Sequence, residues 1–326
     1  MLTYSNSESN NANNINASKD INRSSKPMIH LTLHRDKRAG LNLRNRVFGH
    51  SDSIISFREG YIAKILGEGE SKFYSKYKKQ LHKCLPKEFV PEILGACFIT
   101  CDNQNKGSDD FQIMYKNSVK IPKMSNSPVY LLQKDIVAGY EKPAILDLKI
   151  GIRTWKFGDP QEVGQRRSKK MMAGSCAQTN FRVRAAMWYN AHFNTENDHL
   201  YNYDNNGITF VTRKFGNSCS MNQLMNFFKD FFKYRNNISL FIEKVKTLKE
   251  SLMILRDTFG MRLYSSSILV VYDDKNPDKL DLRILDFEKS YFNIEKVAAQ
   301  YDEPLSQCED RIIEALENFQ NLLQSI

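Results

Sequence analysis

Residues 143 to 151 read Pro143-Ala-Ile-Leu-Asp147-Leu-Lys149-Ile-Gly151, an apolar run that presents a carboxylate and an ammonium two positions apart just before a glycine. Successive side chains of an extended chain alternate faces, so Asp147 and Lys149 point the same way while Ile145, Leu146 and Leu148 help to bury the strand. A charged pair is thereby aimed into a cleft.

The rest of the chain has to supply that cleft. With 326 residues it exceeds the usual single-domain size, so one two-lobed globule or two small domains are expected. A hydrophobic content of 41% is that of a folded protein. No apolar run reaches the roughly 18 residues of a membrane span. The N-terminal Met1-Leu-Thr-Tyr-Ser-Asn lacks the basic-then-apolar order of a signal peptide, so the cytosol or nucleus is the expected compartment. Six scattered cysteines (Cys84, Cys97, Cys101, Cys176, Cys219, Cys308) without zinc-type spacing fit reduced thiols. A monomer is the expected form.

A net charge of +10 implies an anionic partner, whether nucleic acid, an acidic membrane or a small polyphosphate. Between Lys149 and Arg184 nine basic residues face two acidic ones, so much of the excess adjoins the opening motif. Aromatics are not interleaved with this basic run as base stacking would require, which disfavours nucleic acid.

Residues 1–27 hold seven asparagines and six serines, a composition expected to stay disordered. Residues 28–139 combine β-rich runs such as 61–66 and 129–132 with a helical stretch near 70–85, which predicts a small α+β lobe. Gly67-Glu-Gly69 lacks the lysine and hydroxyl of a Walker motif and reads as a turn before that helix. Residues 140–326 carry the motif strand, a basic segment, the run 181–189, helices near 220–235 and 238–258, two strands (264–273 and 282–285) and a C-terminal helix, a larger α+β lobe. Ile238, Phe241, Ile242, Val245, Leu248, Leu252 and Leu255 recur at steps of three and four, a core stripe.

Proline, three residues, aspartate, one residue, lysine, one residue, glycine resembles the signature of the inositol polyphosphate kinases. Two further segments follow in that family's order: Tyr264-Ser265-Ser266-Ser267-Ile268-Leu269 and Leu282-Arg283-Ile284-Leu285-Asp286-Phe287. Weaker matches at Val47-Phe48-Gly49-His50, Lys72-Phe73-Tyr74, Phe89-Val90-Pro91, Glu309-Asp310 and Leu316-Glu317-Asn318 extend the resemblance over roughly residues 45–324. The resemblance implies an α+β, two-lobed, protein-kinase-like fold with ATP and Mg2+ in the inter-lobe cleft and an inositol polyphosphate substrate on the second lobe.

Phosphoryl transfer is mostly electrostatics and positioning, so such a site needs cations on the nucleotide phosphates, a carboxylate on the metal and a held acceptor. Lys64, mid-strand between apolar neighbours, resembles the phosphate-binding lysine of kinase small lobes, with Glu70 as its candidate partner. By the same resemblance Asp286 and Ser267 hold the metal, Asp147 grips the ribose, and Lys149 meets the transferred phosphate and the substrate. Lys134 and Ile136 fall in the adenine-binding segment, where Lys134 replaces the family's usual glutamate. Arg166, Lys169 and Lys170 share a helical face at i, i+3, i+4 spacing. The resemblance assigns them, with Arg182 and Arg213, to the inositol phosphates. A solvated helix face is the alternative for that run, and backbone-bonding strand hydroxyls are the alternative for Ser266 and Ser267.

The short stretch between Gly151 and Phe181 leaves no room for the large helical substrate lobe of the trisphosphate 3-kinases. The expected activity is therefore phosphorylation of a highly phosphorylated inositol, hexakisphosphate to its diphosphate product. The alternatives are a multikinase acting on hydroxyls and a non-catalytic inositol polyphosphate-binding protein.

Overall fold

The computed structural model describes residues 29–35, 54–101, 110–116, 118–119, 128–189, 201–204, 207–233 and 238–326. The asparagine-rich segment 1–27 and the match at Val47 to His50 lie outside the described residues.

β-Branched and aromatic runs form two antiparallel six-stranded sheets. The first comprises β1 (Ile29–His34), β2 (Ile54–Ser56), β3 (Tyr61–Ile65), β4 (Ile93–Cys101), β5 (Asp110–Lys116) and β6 (Tyr130–Lys134) in the order β1-β5-β4-β6-β3-β2. Ala63, Cys97, Ile113 and Leu132 pack a small core of its own. Between β3 and β4 runs α1 (Glu68–Cys84), which already includes Glu68 and Gly69, so of the expected turn only Gly67 precedes the helix.

The second sheet is built from β7 (Pro143–Ile150), β8 (Phe181–Tyr189), β9 (Asn202–Tyr203), β10 (Ile208–Val211), β12 (Ser267–Asp273) and β13 (Leu280–Leu285), in the order β13-β12-β7-β8-β10-β9. β11 (Arg262–Tyr264) pairs with β14 (Lys289–Tyr291) beside it. The motif strand β7 is thus internal, buried from Ala144 to Ile150. Leu146, Leu148 and Ile150 enter the main core, whereas Ile145 packs on the other face with Met187 and Val271. Alternation puts Asp147 and Lys149 on the Ile145 face.

The main core is closed by helices: α5 (Met221–Phe231), α6 (Ile238–Phe259) and α8 (Ile312–Gln324), with α2 (Gln161–Met171), α3 (Cys176–Thr179), α4 (Arg213–Ser218) and α7 (Ile294–Gln300) around it. The α6 stripe is buried as its periodicity requires, with Ile242 packed at its edge. Although α1 follows a strand of the first sheet, its apolar face docks on the second lobe, against β14 and α6. Phe73 stacks on Phe287 at 4.5 Å and Tyr77 on Phe292 at 4.4 Å, each pair contributing about 0.5–1.5 kcal/mol beyond area burial. The helix therefore ties the two sheets into one continuous core. No helix among the described residues is long and apolar enough to cross a membrane.

One expectation is corrected. The run 264–273, read as a single strand, breaks at Ser265, whose φ is 66°. There the Ser265 N–H donates to the Arg153 carbonyl and the Ser265 carbonyl accepts from Lys149 Nζ, so both backbone groups leave the ladder. Gly151 makes the matching exit from β7 at φ 77°, a conformation that suits glycine, and a side chain there would collide with the Asp310 carbonyl.

Candidate active site

Between the sheets lies a cavity of about 450 Å3. Its apolar walls include Ile54, Ile62, Ile136, Ile145, Leu269 and Leu285, and its charged lining is Lys64, Glu70, Asp135, Asp147, Arg184, Asp286 and Glu288. Apolar walls with charged residues among them suit a base carrying phosphates.

β3 delivers Lys64, and the start of α1 delivers Glu70, whose Oε1 lies 2.8 Å from Lys64 Nζ. Asp286 enters from the second sheet, with Oδ1 3.3 Å from the same ammonium. Burial opposes the charge on Lys64, but these two carboxylates outweigh it and raise its pKa. Partial desolvation would raise Asp286, whose side chain is about half exposed; Lys64 and Lys149 more than compensate and hold it below the usual carboxylate range. The Asp286 backbone is fixed by Ser266, whose hydroxyl donates to its carbonyl at 3.0 Å. Glu288, two residues on, accepts from the N–H groups of Gly69 (3.1 Å) and Glu70 (2.8 Å), capping α1 and holding Glu70 in place.

On β7, Asp147 is buried and pushed up to about 6 by that burial, with Arg184 opposing. Arg184 Nε is 3.7 Å from Asp147 Oδ2. Asp147 Oδ1 and the neighbouring Ser267 Oγ are buried without a hydrogen-bond partner among the described residues. Lys149 is set opposite Ser267 on β12 and Arg182 on β8. Burial lowers it to about 8, against the pull of Asp286 and Asp147.

Beyond Lys149 the surface is cationic. Lys170 near the end of α2 is lowered by partial burial and then by Arg182, Arg213 and Arg184, which places these four charges together. Arg182 donates to Asn217 Oδ1 at 2.9 Å, joining β8 to α4, whose first residue is Arg213.

A family model described as inositol polyphosphate kinase matches residues 130–324, more than half of the chain. The chain belongs to the inositol polyphosphate kinase family. Among proteins of this family it is 24% identical over 181 residues to inositol hexakisphosphate kinase 3 of Mus musculus and 26% identical over 222 residues to an uncharacterized inositol polyphosphate kinase of Schizosaccharomyces pombe. These matches span 50% and 60% of this chain but 43% and 21% of the relatives' own lengths. The fold matches that of the S. cerevisiae inositol phosphate multikinase solved with ADP and Mn2+, with a TM-score of 0.59 at 16% identity over 81% of this chain and 98% of that one.

The structure gathers Lys64, Ile136, Asp147 and Asp286 around the cavity and Lys149, Lys170, Arg182 and Arg213 beside it. Lys134 goes elsewhere. Strand alternation turns Gln133 inward, and the Lys134 ammonium pairs with Glu92 at 2.9 Å outside the cavity. Arg166 and Lys169 are exposed on α2, as is Lys170. The N–H and C=O of Ile136 have no hydrogen-bond partner among the described residues, so both groups are available. Sequence reasoning missed Arg184 and Glu288. Arg184 had a signal in its two-residue offset from Arg182; Glu288 follows the Asp286-Phe287 pair but bears on a helix more than 200 positions earlier, which no local pattern announces.

Proposed function

We propose that this chain transfers the γ-phosphate of ATP to a highly phosphorylated inositol, with inositol hexakisphosphate as acceptor and a diphosphate as product. The observation that carries the reading is the Lys64–Asp286 pair at the cavity, with Glu70 behind it and four further cations alongside. The name of the mouse relative supports the hexakisphosphate acceptor, and the ADP and Mn2+ bound by the yeast multikinase support a nucleotide and a divalent ion.

The residues fit these groups. Asp286 and the orphaned oxygens of Ser267 and Asp147 are the hard donors that Mg2+ prefers. Asp286 and Ser267 would hold the ion, which neutralises charge on the nucleotide phosphates. Lys64, steadied by Glu70, meets the same phosphates; Ile136 offers an N–H and a carbonyl to adenine; Asp147 accepts from the ribose. Lys149, Lys170, Arg182 and Arg213 bind the acceptor, with Arg166 and Lys169 farther out along α2. A ring phosphate is already anionic at neutral pH, so transfer to it needs no strong base.

The test is incubation of the full chain with magnesium ATP and, separately, inositol hexakisphosphate and lower inositol phosphates, with products separated by anion exchange. A diphosphate formed by the wild type and absent with Asp286→Asn is the expected result. New monophosphate esters on lower inositols instead identify a multikinase, and binding without conversion identifies a non-catalytic binding protein.

A further inference from the structure

β8 reads Phe181-Arg-Val-Arg184-Ala185, and its register against β7 shifts by one residue between Asp147 and Leu148. Asp147 faces Ala185 and Leu148 faces Val183, which leaves Arg184 as the extra residue of the strand. Such a bulge bends the strand and re-aims a side chain, and it recurs beside active sites. Here the re-aimed guanidinium lines the cavity with Lys64 and Asp286. From the same position it acts as a like charge on Lys149, Arg182 and Lys170.

Among the described residues two cations line the cavity, Lys64 and Arg184. Lys64 is committed to carboxylates at 2.8 and 3.3 Å. Arg184 has a looser partner, Asp147 at 3.7 Å, which is beyond hydrogen-bond length, and its side chain is 34% exposed. It is therefore the cation that belongs to both halves of the site and has donors to spare.

We propose that Arg184 is a catalytic residue that holds the phosphoryl group in transit, at the junction of the nucleotide cavity and the acceptor surface. This rests on the kinase reading above. In the transfer an oxygen of a ring phosphate bonds to the γ-phosphorus. The bond from that phosphorus to the bridging oxygen breaks, and its electron pair leaves with ADP; no proton has to move. A planar guanidinium with five donors can keep hold of the equatorial oxygens throughout, which a lysine point charge does less well.

The test uses the full chain and the variants Arg184→Gln and Arg184→Lys. ADP and a non-hydrolysable ATP analogue are titrated against each, and transfer kinetics are measured alongside. The wild type is expected to prefer the triphosphate, and Arg184→Gln to lower that preference about tenfold, the effect of one charge-assisted contact, while ADP binding holds. The kcat of Arg184→Gln is expected to fall about 10²–10³-fold, as for loss of one preorganised donor, with Arg184→Lys in between. An unchanged triphosphate-to-diphosphate ratio in Arg184→Gln overturns the proposal. So does an equal loss of both nucleotides, which would make Arg184 a prop for Asp147. A wild type that discriminates the nucleotides yet phosphorylates no inositol phosphate removes the kinase reading and leaves the ratio to decide Arg184. A wild type that binds neither nucleotide overturns both.

Discussion

The ammonium of Lys64 lies 3.3 Å from the carboxylate of Asp286, an ion pair that crosses from the first lobe to the second beside the cavity. Glu70 holds the other side of the ammonium at 2.8 Å, so two anions share one cation and the spot has room for more positive charge. A divalent ion held at Asp286 would share that carboxylate with Lys64, whose ammonium also pairs with Glu70. The loop bearing Asp286 is anchored by the Phe73–Phe287 stack and by Ser266, so the geometry belongs to the fold.

Asp286→Asn is expected to remove transfer while sparing the fold. Asp286 sits at φ 64°, in the left-handed region that asparagine tolerates and β-branched residues do not. Transfer should fall by about 10²-fold or more, and thermal unfolding should move by only a few degrees. The checks are ADP release and a melting curve on one preparation.

The pH profile is set by two buried groups. On the proposed function Asp147, pushed up to about 6, would have to be ionised to accept from ribose, and Lys149, pushed down to about 8, would have to be charged to meet phosphate. The kcat/KM profile is therefore expected to rise through about pH 6 and fall through about pH 8. Lys149→Arg should abolish the alkaline limb, because guanidinium stays charged. Stability follows its own signs. Asp147 is raised on folding, so its contribution is present below its unfolded value of about 4 and is lost as pH climbs towards 6. The buried Asp310, also near 6, adds to that slope. Lys149 is lowered on folding, so its contribution is present above about 10 and lost as pH falls through 8.

How much of this was legible depended on whether a role followed from local period. Asp147 and Lys149 share a face because a strand alternates, and nothing distant was needed to see it. The α6 stripe was legible for the same reason at a different period. Lys134 illustrates the opposite: its segment was correctly placed at the cavity, but which neighbour turns inward depends on the register of β6 against β3 and β4, which favours Gln133. Arg184 owes its direction to a one-residue slip between β7 and β8, and Glu288 its role to the docking of α1 on the far lobe. Glu288 is a product of tertiary assembly, where spacing along the chain carries little information, whereas Arg184 also had a local signal in its offset from Arg182.

The basic helix α2 should not act as a uniform patch. Lys170 sits among Arg182, Arg184 and Arg213, where a polyanionic acceptor relieves repulsion already present. Lys170→Gln is therefore expected to raise the acceptor KM about tenfold, the loss of one charge-assisted contact, with the KM for ATP unchanged. Arg166→Gln and Lys169→Gln, on the same helix and exposed as Lys170 is, should cost less than about threefold, in the range of surface charges, because the arginine cluster and not exposure sets Lys170 apart. Equal effects at all three positions would mean that α2 attracts the acceptor diffusely.

Arg213 depends on a contact that it does not make itself. Gly216, one turn along α4, lies so close to the Val183 carbonyl on β8 that a methyl group would overlap it. That approach, with the Arg182–Asn217 hydrogen bond, seats α4 on the strand and brings Arg213 to the cationic surface. Gly216→Ala should push the helix off the strand at a cost of about 1–3 kcal/mol, the usual penalty for overpacking. Acceptor KM should rise while ATP binding holds, since the nucleotide cavity has no wall on α4. If the effect runs through Arg213, then Arg213→Gln combined with Gly216→Ala should weaken the acceptor no more than the stronger single change, a clear departure from additivity. Additive losses would show that Gly216 supports the site by a route independent of Arg213, and the cycle of four proteins measured for acceptor KM separates the two.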